Sequence, residues 1–543
     1  MTDARGAFLA EALDAVVAGG AAPEPAAGDA WQLAVASFVA SERLEPARAT
    51  TLSRAAIDAL TAASEPVVRA AVFAARGFAA AAELHPGGWT EVEPEHTPSG
   101  DPIADALPYL EAAGSGDDAQ FARYLLAEAA LTNGRVGFAA TLPIADPVGF
   151  LARDGRDHPF GAVFTVLRAR VAAFSGRVLD AQRLLAGAMS HIPLLDLLLN
   201  ATSSLVHGNA ADPQRTRDLA ERVRTENPRP DTRIAAGCHL LAAYGLMALD
   251  DVRGSAELVV AAGGDADLDH LMIVDRAIGF ELLVNAADLD DDPDAAEAWA
   301  SRAEALAGSP ICDASLERTR SRILLIRGDA TGAAAAAERA GALARAEGRM
   351  IEAAEADRLA GRASLAANDG SAARRLQSMA EEANRTGHRA AVEAAARELR
   401  TAGRRLRPLA GSEWDGLSGR EREVARLLLD GLSNADIAAV LFVSPHTVRV
   451  HVSRVLAAFG VASRFALAAR MPSSADVVAD GLTQRQAEVV AQLSTGASNA
   501  EIADRLGISV KTVEKHLHEI MRRLEVTSRV GILRAAAAPV PVE

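Results

Sequence analysis

The chain has 543 residues and a formal net charge of −16; half of it is hydrophobic, and only 4% is aromatic. That length is too great for one core, and the Ala-rich, aromatic-poor composition points to a mostly helical protein of several domains with thin helix contacts. No stretch approaches the roughly 20 uninterrupted apolar residues of a membrane span, and the acidic balance argues against nucleic-acid binding until its placement along the chain is considered.

That placement is uneven. From Arg397 onward there are 20 basic and 16 acidic residues, against 36 basic and 56 acidic before it. A sign change of this kind suits an acidic regulatory body joined to a separate binding end. At the N-terminus, MTDARGAFLAEALDAVV has Asp3 ahead of any apolar run, so no signal peptide is expected. Cys238 and Cys312 stand in no metal-ligand or CxxC spacing; they read as buried small residues, and a cytoplasmic location is the expectation.

Residues 1–403 read as one helix after another. In FGAVFTVLRARVAAFSGRVLDAQRLLAGAMSHI (160–192) and EAAEADRLAGRASLAANDGSAARRLQSMAEEANRTGH (352–388), two apolar-periodic helices flank a short break. Gly176 and Gly370 suit a left-handed helix stop, and Ser371 a cap for the helix that follows. Such pairs recur about every 35 to 40 residues, close to the period of tetratricopeptide-like hairpins, which bury their cores by stacking. The predicted fold is all-α: an irregular tetratricopeptide-like α-solenoid followed by the modules described below. Residues 85–101 read as a long loop. DLDDDPDAAEAWA (288–300) spaces Asp288, Asp290 and Asp292 like a calcium loop. Pro293 and Trp299 replace its Gly and closing Glu, which leaves a solvated turn capping a helix. Residues 404–416 are a hinge whose Arg cluster fits either a solvated helix end or a phosphate-contacting arm.

The rest of the chain repeats itself. LSGREREVARLLLDGLSNADIAAVLFVSPHTVRVHVSRVLAAFGVASR (417–464) aligns without a gap on LTQRQAEVVAQLSTGASNAEIADRLGISVKTVEKHLHEIMRRLEVTSR (482–529), pairing Leu417 with Leu482, Arg420 with Arg485, Glu423 with Glu488 and His451 with His516. Each copy spells four short helices. Ser418 with Glu421, Thr483 with Gln486, Ser433 with Asp436 and Ser498 with Glu501 are capping boxes. Ser444 and Ser509 cap the third helices, Ser463 and Ser528 the fourth, and Pro445 suits a first helical position. The second and third helices are separated only by FVS or GIS, which is helix-turn-helix spacing. Val448, Val452, Val455 and Phe459 form the inward stripe of one third helix, as do Val513, Leu517, Ile520 and Leu524 of the other. The outward stripes are His446, Arg449, Val450 and Ser453, and Lys511, Glu514, Lys515 and His518. An outward polar stripe is ordinarily a solvated face. Behind a helix-turn-helix turn it is the face that fits a DNA major groove. Lys511 and Lys515 are the only lysines in the sequence, which is otherwise supplied with Arg. His516 and His518, two apart on a helix, point to different faces and do not suggest a metal site.

Both copies resemble the LuxR-type helix-turn-helix, whose signature L-[ST]-x-R-E-x-E-V…G-x-S-N-x-[DE]-I-A…L-x-[VI]-S-x-x-T-V…H is nearly whole in each. The resemblance implies four-helix DNA-binding domains at 417–470 and 482–535, a linker over 471–481, and a tail over 536–543. It implies that the third helix reads the groove and that the fourth often assists dimerisation, so a homodimer is an expectation. Carried over by position, Arg449, Val450 and Ser453 face bases in the first module, and Glu514, Lys515 and His518 in the second. Ser444, Thr447, Ser509 and Thr512 lie near phosphates. His446, Arg454, Lys511, Arg522 and Arg523 complete the implied DNA-binding set, and Glu423, Glu488, Gly431 and Gly496 look structural. The copies depart from the pattern where Ala457 and Ala458 replace late basic residues, Gln486 replaces Glu, and Glu514 stands where Lys is common. Phosphate anchoring is therefore expected to be stronger in the second copy.

The helical part is similar to the repeat region of large ATP-binding LuxR-family regulators, most closely over AARRLQSMAEEANRTGHRAAVEAAARELRTAGRR (372–405). Their phosphate-binding loop needs Gly immediately before Lys, and neither lysine has it. The expected function is sequence-specific transcription regulation. Double-stranded DNA is the partner, with a small-molecule or protein effector on the acidic body. No cofactor, metal, membrane contact or enzymatic activity is expected. The competing reading is an interaction scaffold whose helix-turn-helix copies dock proteins.

Overall fold

A computed structural model describes residues 2–82, 98–144, 149–152, 156–227, 230–407, 409, 417–429, 432–459, 461, 463–464, 467, 484–494, 499–523 and 532. Among these residues there are 26 helices and no strand, in two compact units, Met1–Leu406 and Arg407–Glu543. None of these helices is long and apolar enough to cross a membrane. The loop predicted over 85–101 lies mostly outside the described residues, as does the linker over 471–481.

The first unit is built from antiparallel helix pairs in two layers. Inner helices, such as Ala30–Glu42, Arg233–Ala248 and Ile273–Leu289, are buried on most sides. Outer helices bury a single stripe: Thr216, Ala220 and Val223 in Pro213–Glu226, and five alanines with Gly341 in Ala330–Ala346. The few aromatic rings are concentrated rather than spread. Phe38 lies 5.5 to 6.1 Å from Phe78, Phe121, Tyr124 and Phe160, giving the first part of the unit a dense ring cluster.

Five successive pairs share one turn. A left-handed residue stops the first helix: Ala211, Asp250, Asp291, Gly328 or Asn368. The next residue is always Asp, whose N–H returns to a carbonyl five residues back, a Schellman-type closure. In four turns the carboxylates of Asp212, Asp251, Asp292 and Asp329 then cap the second helix by accepting from the amides of Arg215, Gly254, Ala295 and Gly332. The capping turn expected around residue 292 is therefore present. In the fifth turn the expectation is corrected. Asn368, not Gly370, takes the left-handed conformation, and Ser371 makes no cap bond. Its amide and hydroxyl instead donate to Asp369 at 2.9 and 2.5 Å. Asn enters this region readily, which frees Gly370 from the role. Gly176 is left-handed as expected, with φ +77°.

Stacking is not the only source of cohesion. Arg233 Nε donates to the Ser41 carbonyl at 2.9 Å, and Gly137 N–H to the Glu347 carbonyl at 2.8 Å, so the coil touches itself across long stretches of sequence. Small residues permit the tight winding. Pro193–Asn209 and Arg233–Ala248 approach so closely that a Cβ on Gly208 would strike the Gly245 carbonyl, and one on Gly245 the Ser204 carbonyl. Cys238 and Cys312 are buried free thiols, as expected.

Candidate nucleic-acid interface

In the first module, Gly419–Leu429, Asn434–Leu441 and Pro445–Ala458 enclose a core of Leu417, Val424, Ala425, Leu428, Ile437, Ala438, Val448, Val452, Val455, Phe459 and Leu467. Gln484–Ser494, Asn499–Leu506 and Val510–Arg523 do the same in the second, around Val489, Val490, Leu493, Ile502, Ala503, Val513, Leu517, Ile520 and Ile532. Each of the predicted inward stripes is buried; Leu524 lies outside the described residues. The fourth helices are likewise largely outside them, although Leu467 and Ile532 reach the cores.

Local hydrogen bonds set the helix starts. Ser418 and Glu421 exchange both capping-box bonds, at 2.9 and 3.3 Å. Ser433 and Asp436 do so at 3.0 and 3.2 Å. Hydrogen bonds from the serines hold both carboxyls below their usual range. Thr483 and Ser498 lie outside the described residues. Ser444 and Ser509 accept from the amides of Thr447 and Thr512, each at 3.1 Å. In both modules the two hydroxyls also pair, at 2.8 and 2.7 Å. The N-terminus of each third helix thus carries a matched pair of hydroxyls where a helix favours an anion.

One tertiary bond is repeated. Arg420 donates to Glu423 at 2.8 Å and to the Leu441 carbonyl at 2.6 Å. Arg485 donates to Glu488 and to the Leu506 carbonyl, both at 2.5 Å. A guanidinium thereby satisfies the open carbonyl end of the second helix and fixes the turn. Glu423 and Glu488 orient that guanidinium and so have the structural place expected of them. Arg464 adds a further tie in the first module, to the Leu432 carbonyl at 3.0 Å and Asn434 Oδ1 at 2.5 Å.

The candidate contact residues fall on one side of each third helix. His446, Arg449, Val450, Ser453 and Arg454 are exposed in the first module, and Lys511, Glu514, Lys515, His518, Arg522 and Arg523 in the second. Ser444 and Ser509 are exposed; Thr447 and Thr512 are half-buried beside them.

Alignment of the two structures explains one of the departures. Arg454 lies 3.7 Å from Glu421. The matching positions in the second module are Glu519 and Gln486, where Gln486 donates to Glu519 at 3.3 Å. A Glu at 486 would face a like charge, so the neutral amide belongs with Glu519. Arg523 then donates to Gln486 Oε1 at 3.1 Å. Part of its guanidinium is held by the module itself, which reduces the surplus of phosphate anchors expected in the second copy.

The turn before each third helix also differs. Gly507 takes a left-handed φ of +63°; the matching Phe442 takes φ +54° and is 95% exposed. A Cβ in this conformation costs roughly 1–2 kcal/mol, partly offset because Gly loses more chain entropy on folding. Phe442→Gly is expected to stabilise the first module by about 0.5–1 kcal/mol. The check is hydrogen exchange of its core amides in the full chain, and unchanged protection would refute the assignment of strain.

Residues 415–471 and 480–536 each match the bacterial regulatory proteins of the luxR family. Both modules are LuxR-family helix-turn-helix domains. A putative HTH-type transcriptional regulator of Mycobacterium bovis is 51% identical over 75 residues, covering 14% of this chain and 8% of that protein. The nitrate/nitrite response regulator protein homolog of Haemophilus influenzae is 47% identical over 52 residues, 10% of this chain and 25% of that one. The response regulator NarP of Escherichia coli is 45% identical over 50 residues, 9% and 23% of the respective chains. The chain therefore spans a quarter or less of the length of these relatives, and the likeness is confined to the size of a LuxR-family domain.

Proposed function

We propose that the protein is a cytoplasmic, non-enzymatic transcription regulator. Its two LuxR-family modules bind duplex DNA through the major groove. Its acidic, tetratricopeptide-like helical body receives an effector. The observation that carries this reading is the exposed basic and polar face behind a helix-turn-helix turn, present twice. Lys511, Lys515 and Arg522 in one copy and Arg449 and Arg454 in the other give the cationic contacts that release counterions from DNA. His446, Val450, Ser453, Glu514 and His518 lie on the same faces and are the candidates for base edges. The linker over 471–481 reaches at most about 36 Å when extended, and adjacent half-sites lie about 34 Å apart, so one chain can span neighbouring grooves.

The test is selection of bound duplexes from a random pool by the full chain, followed by affinity measurements across salt concentrations. An enriched motif, and an affinity that falls steeply between 50 and 200 mM salt, are expected. Absence of salt-sensitive duplex binding would favour the docking scaffold instead.

A further inference from the structure

A cavity of about 120 Å³ lies in the first unit between helices that are distant in sequence. Apolar side chains form much of its wall, among them Phe78, Val163, Leu198 and Leu240. The charged groups facing it come from six helices, Arg349 being the N-cap of the one that carries Glu352. Two pairs are neutralised internally. Arg170 donates to Glu128 at 2.6 Å, and Arg349 grips Glu352 through two bonds of 2.6 Å; Arg318, which also meets Glu352 at 2.8 Å, is balanced by Glu281. Three charges remain. Arg233 spends its bonds on two carbonyls, of Ser41 at 2.9 Å and His270 at 3.3 Å. Asp275 accepts from the Tyr244 hydroxyl at 3.1 Å. Glu42 is only 6% exposed, and its buried Oε2 has no hydrogen-bond partner.

The count leaves the cavity one negative charge in excess, on a carboxylate removed from water. A buried carboxylate in that position takes up either a proton or a cation. Among the described residues, the three arginines facing the cavity are outnumbered by its four carboxylates. Arg170 pairs with Glu128 through Nη1 while its buried Nε has no hydrogen-bond partner, Arg349 pairs with Glu352, and Tyr124, Tyr244 and His270 are the other titratable groups present.

We propose that this cavity binds a small amphipathic monocation, an organic ammonium whose charge sits at Glu42 and whose apolar body lies against the aromatic and aliphatic wall. The proposal rests on the reading of the helical body as the effector-receiving part and names the chemical class it would receive. It is independent of DNA binding, because the measurement below contains no DNA.

Protonation supports the assignment. Burial pushes the Glu42 carboxyl up to about 7, against the lowering influence of Arg233, and burial likewise raises Asp275 to about 6. The Glu42 carboxyl must shed its proton to receive the ammonium group. Affinity is therefore nearly full at pH 8 and lost as the pH falls through 7, by about tenfold between pH 8 and pH 6.

The probes are benzylammonium, benzyl alcohol and benzoate, titrated into the full chain by ligand-observed NMR. Benzylammonium is expected to bind at least fivefold more tightly than benzyl alcohol at pH 8, with benzoate weakest, and to lose about tenfold at pH 6. Glu42→Gln is expected to bring benzylammonium and benzyl alcohol to parity and to abolish most of the pH dependence. The pH profile of the unaltered chain stands even if that variant folds poorly. Equal affinity for the alcohol, preference for benzoate, a flat pH profile, or no saturable benzylammonium binding would each overturn the proposal.

Discussion

Arg318→Ala is expected to destabilise the helical unit by about 3–5 kcal/mol. Arg318 is 2% exposed and lies between two carboxylates, donating to Glu281 at 2.8 Å through Nε and to Glu352 at 2.8 Å through Nη2. These residues belong to three inner helices, Ile273–Leu289, Asp313–Ile326 and Met350–Ala366, so one side chain ties three successive helix pairs. Burial by itself would lower its pKa; attraction to Glu281 and Glu352 outweighs burial and raises it. Removing the guanidinium strands Glu281, which is 4% exposed and keeps only Arg322, at 3.3 Å. The penalty comes from the abandoned carboxylate more than from the lost bonds. Arg318→Met combined with Glu281→Leu is therefore expected to cost less than Arg318→Ala alone, since the pair leaves together. Urea unfolding of the full chain, followed by far-UV circular dichroism, measures both. A loss under 1 kcal/mol for the single variant would show that water reaches this ladder.

How much of this was legible in the sequence follows from the range of each interaction. Helix pairs, capping boxes and the helix-turn-helix turn rest on residues within five positions of one another, and their patterns can be read directly. The alternating faces of the third helices are equally local: Val448, Val452 and Val455 are buried while Arg449, Val450 and Ser453 are exposed. The recurring Asp turn is also local, yet it misleads at residues 368–371. Asn and Gly both suit a left-handed position, and only the geometry shows which residue occupies it. Arg420 on the Leu441 carbonyl could not be foreseen, because it depends on how one helix end meets another side chain. The exchange of Glu421 and Arg454 for Gln486 and Glu519 has a sequence trace, visible once the copies are aligned, but its meaning needs the distance between the positions. The cavity has no trace at all. Glu42, Glu128, Arg170, Arg233 and Asp275 converge only because the coil closes on itself.

Lys515→Ala and Arg449→Ala, made separately and together, are expected to weaken DNA binding by about 1–3 kcal/mol each, or roughly 5- to 150-fold. Both side chains are exposed at the middle of a third helix, one in each module, and differ chemically. Arg449 offers a planar fork that can bind a guanine edge, so its loss should relax preference at one base pair. Lys515 is a compact point charge four residues from Lys511. If it meets a phosphate, its loss should weaken all sequences alike and reduce the salt slope by about one. Glu514→Ala, by contrast, should raise non-specific affinity, because a carboxylate on this face repels the backbone. Two modules on half-sites about 34 Å apart make the double loss the sum of the single ones. If one module instead serves docking, its variant leaves affinity and salt slope unchanged while the other carries the whole effect. Fluorescence anisotropy at several salt concentrations, on the duplex recovered by selection, distinguishes these outcomes. If both single variants bound as tightly as the parent chain, the groove-facing assignment of these two helices would be wrong.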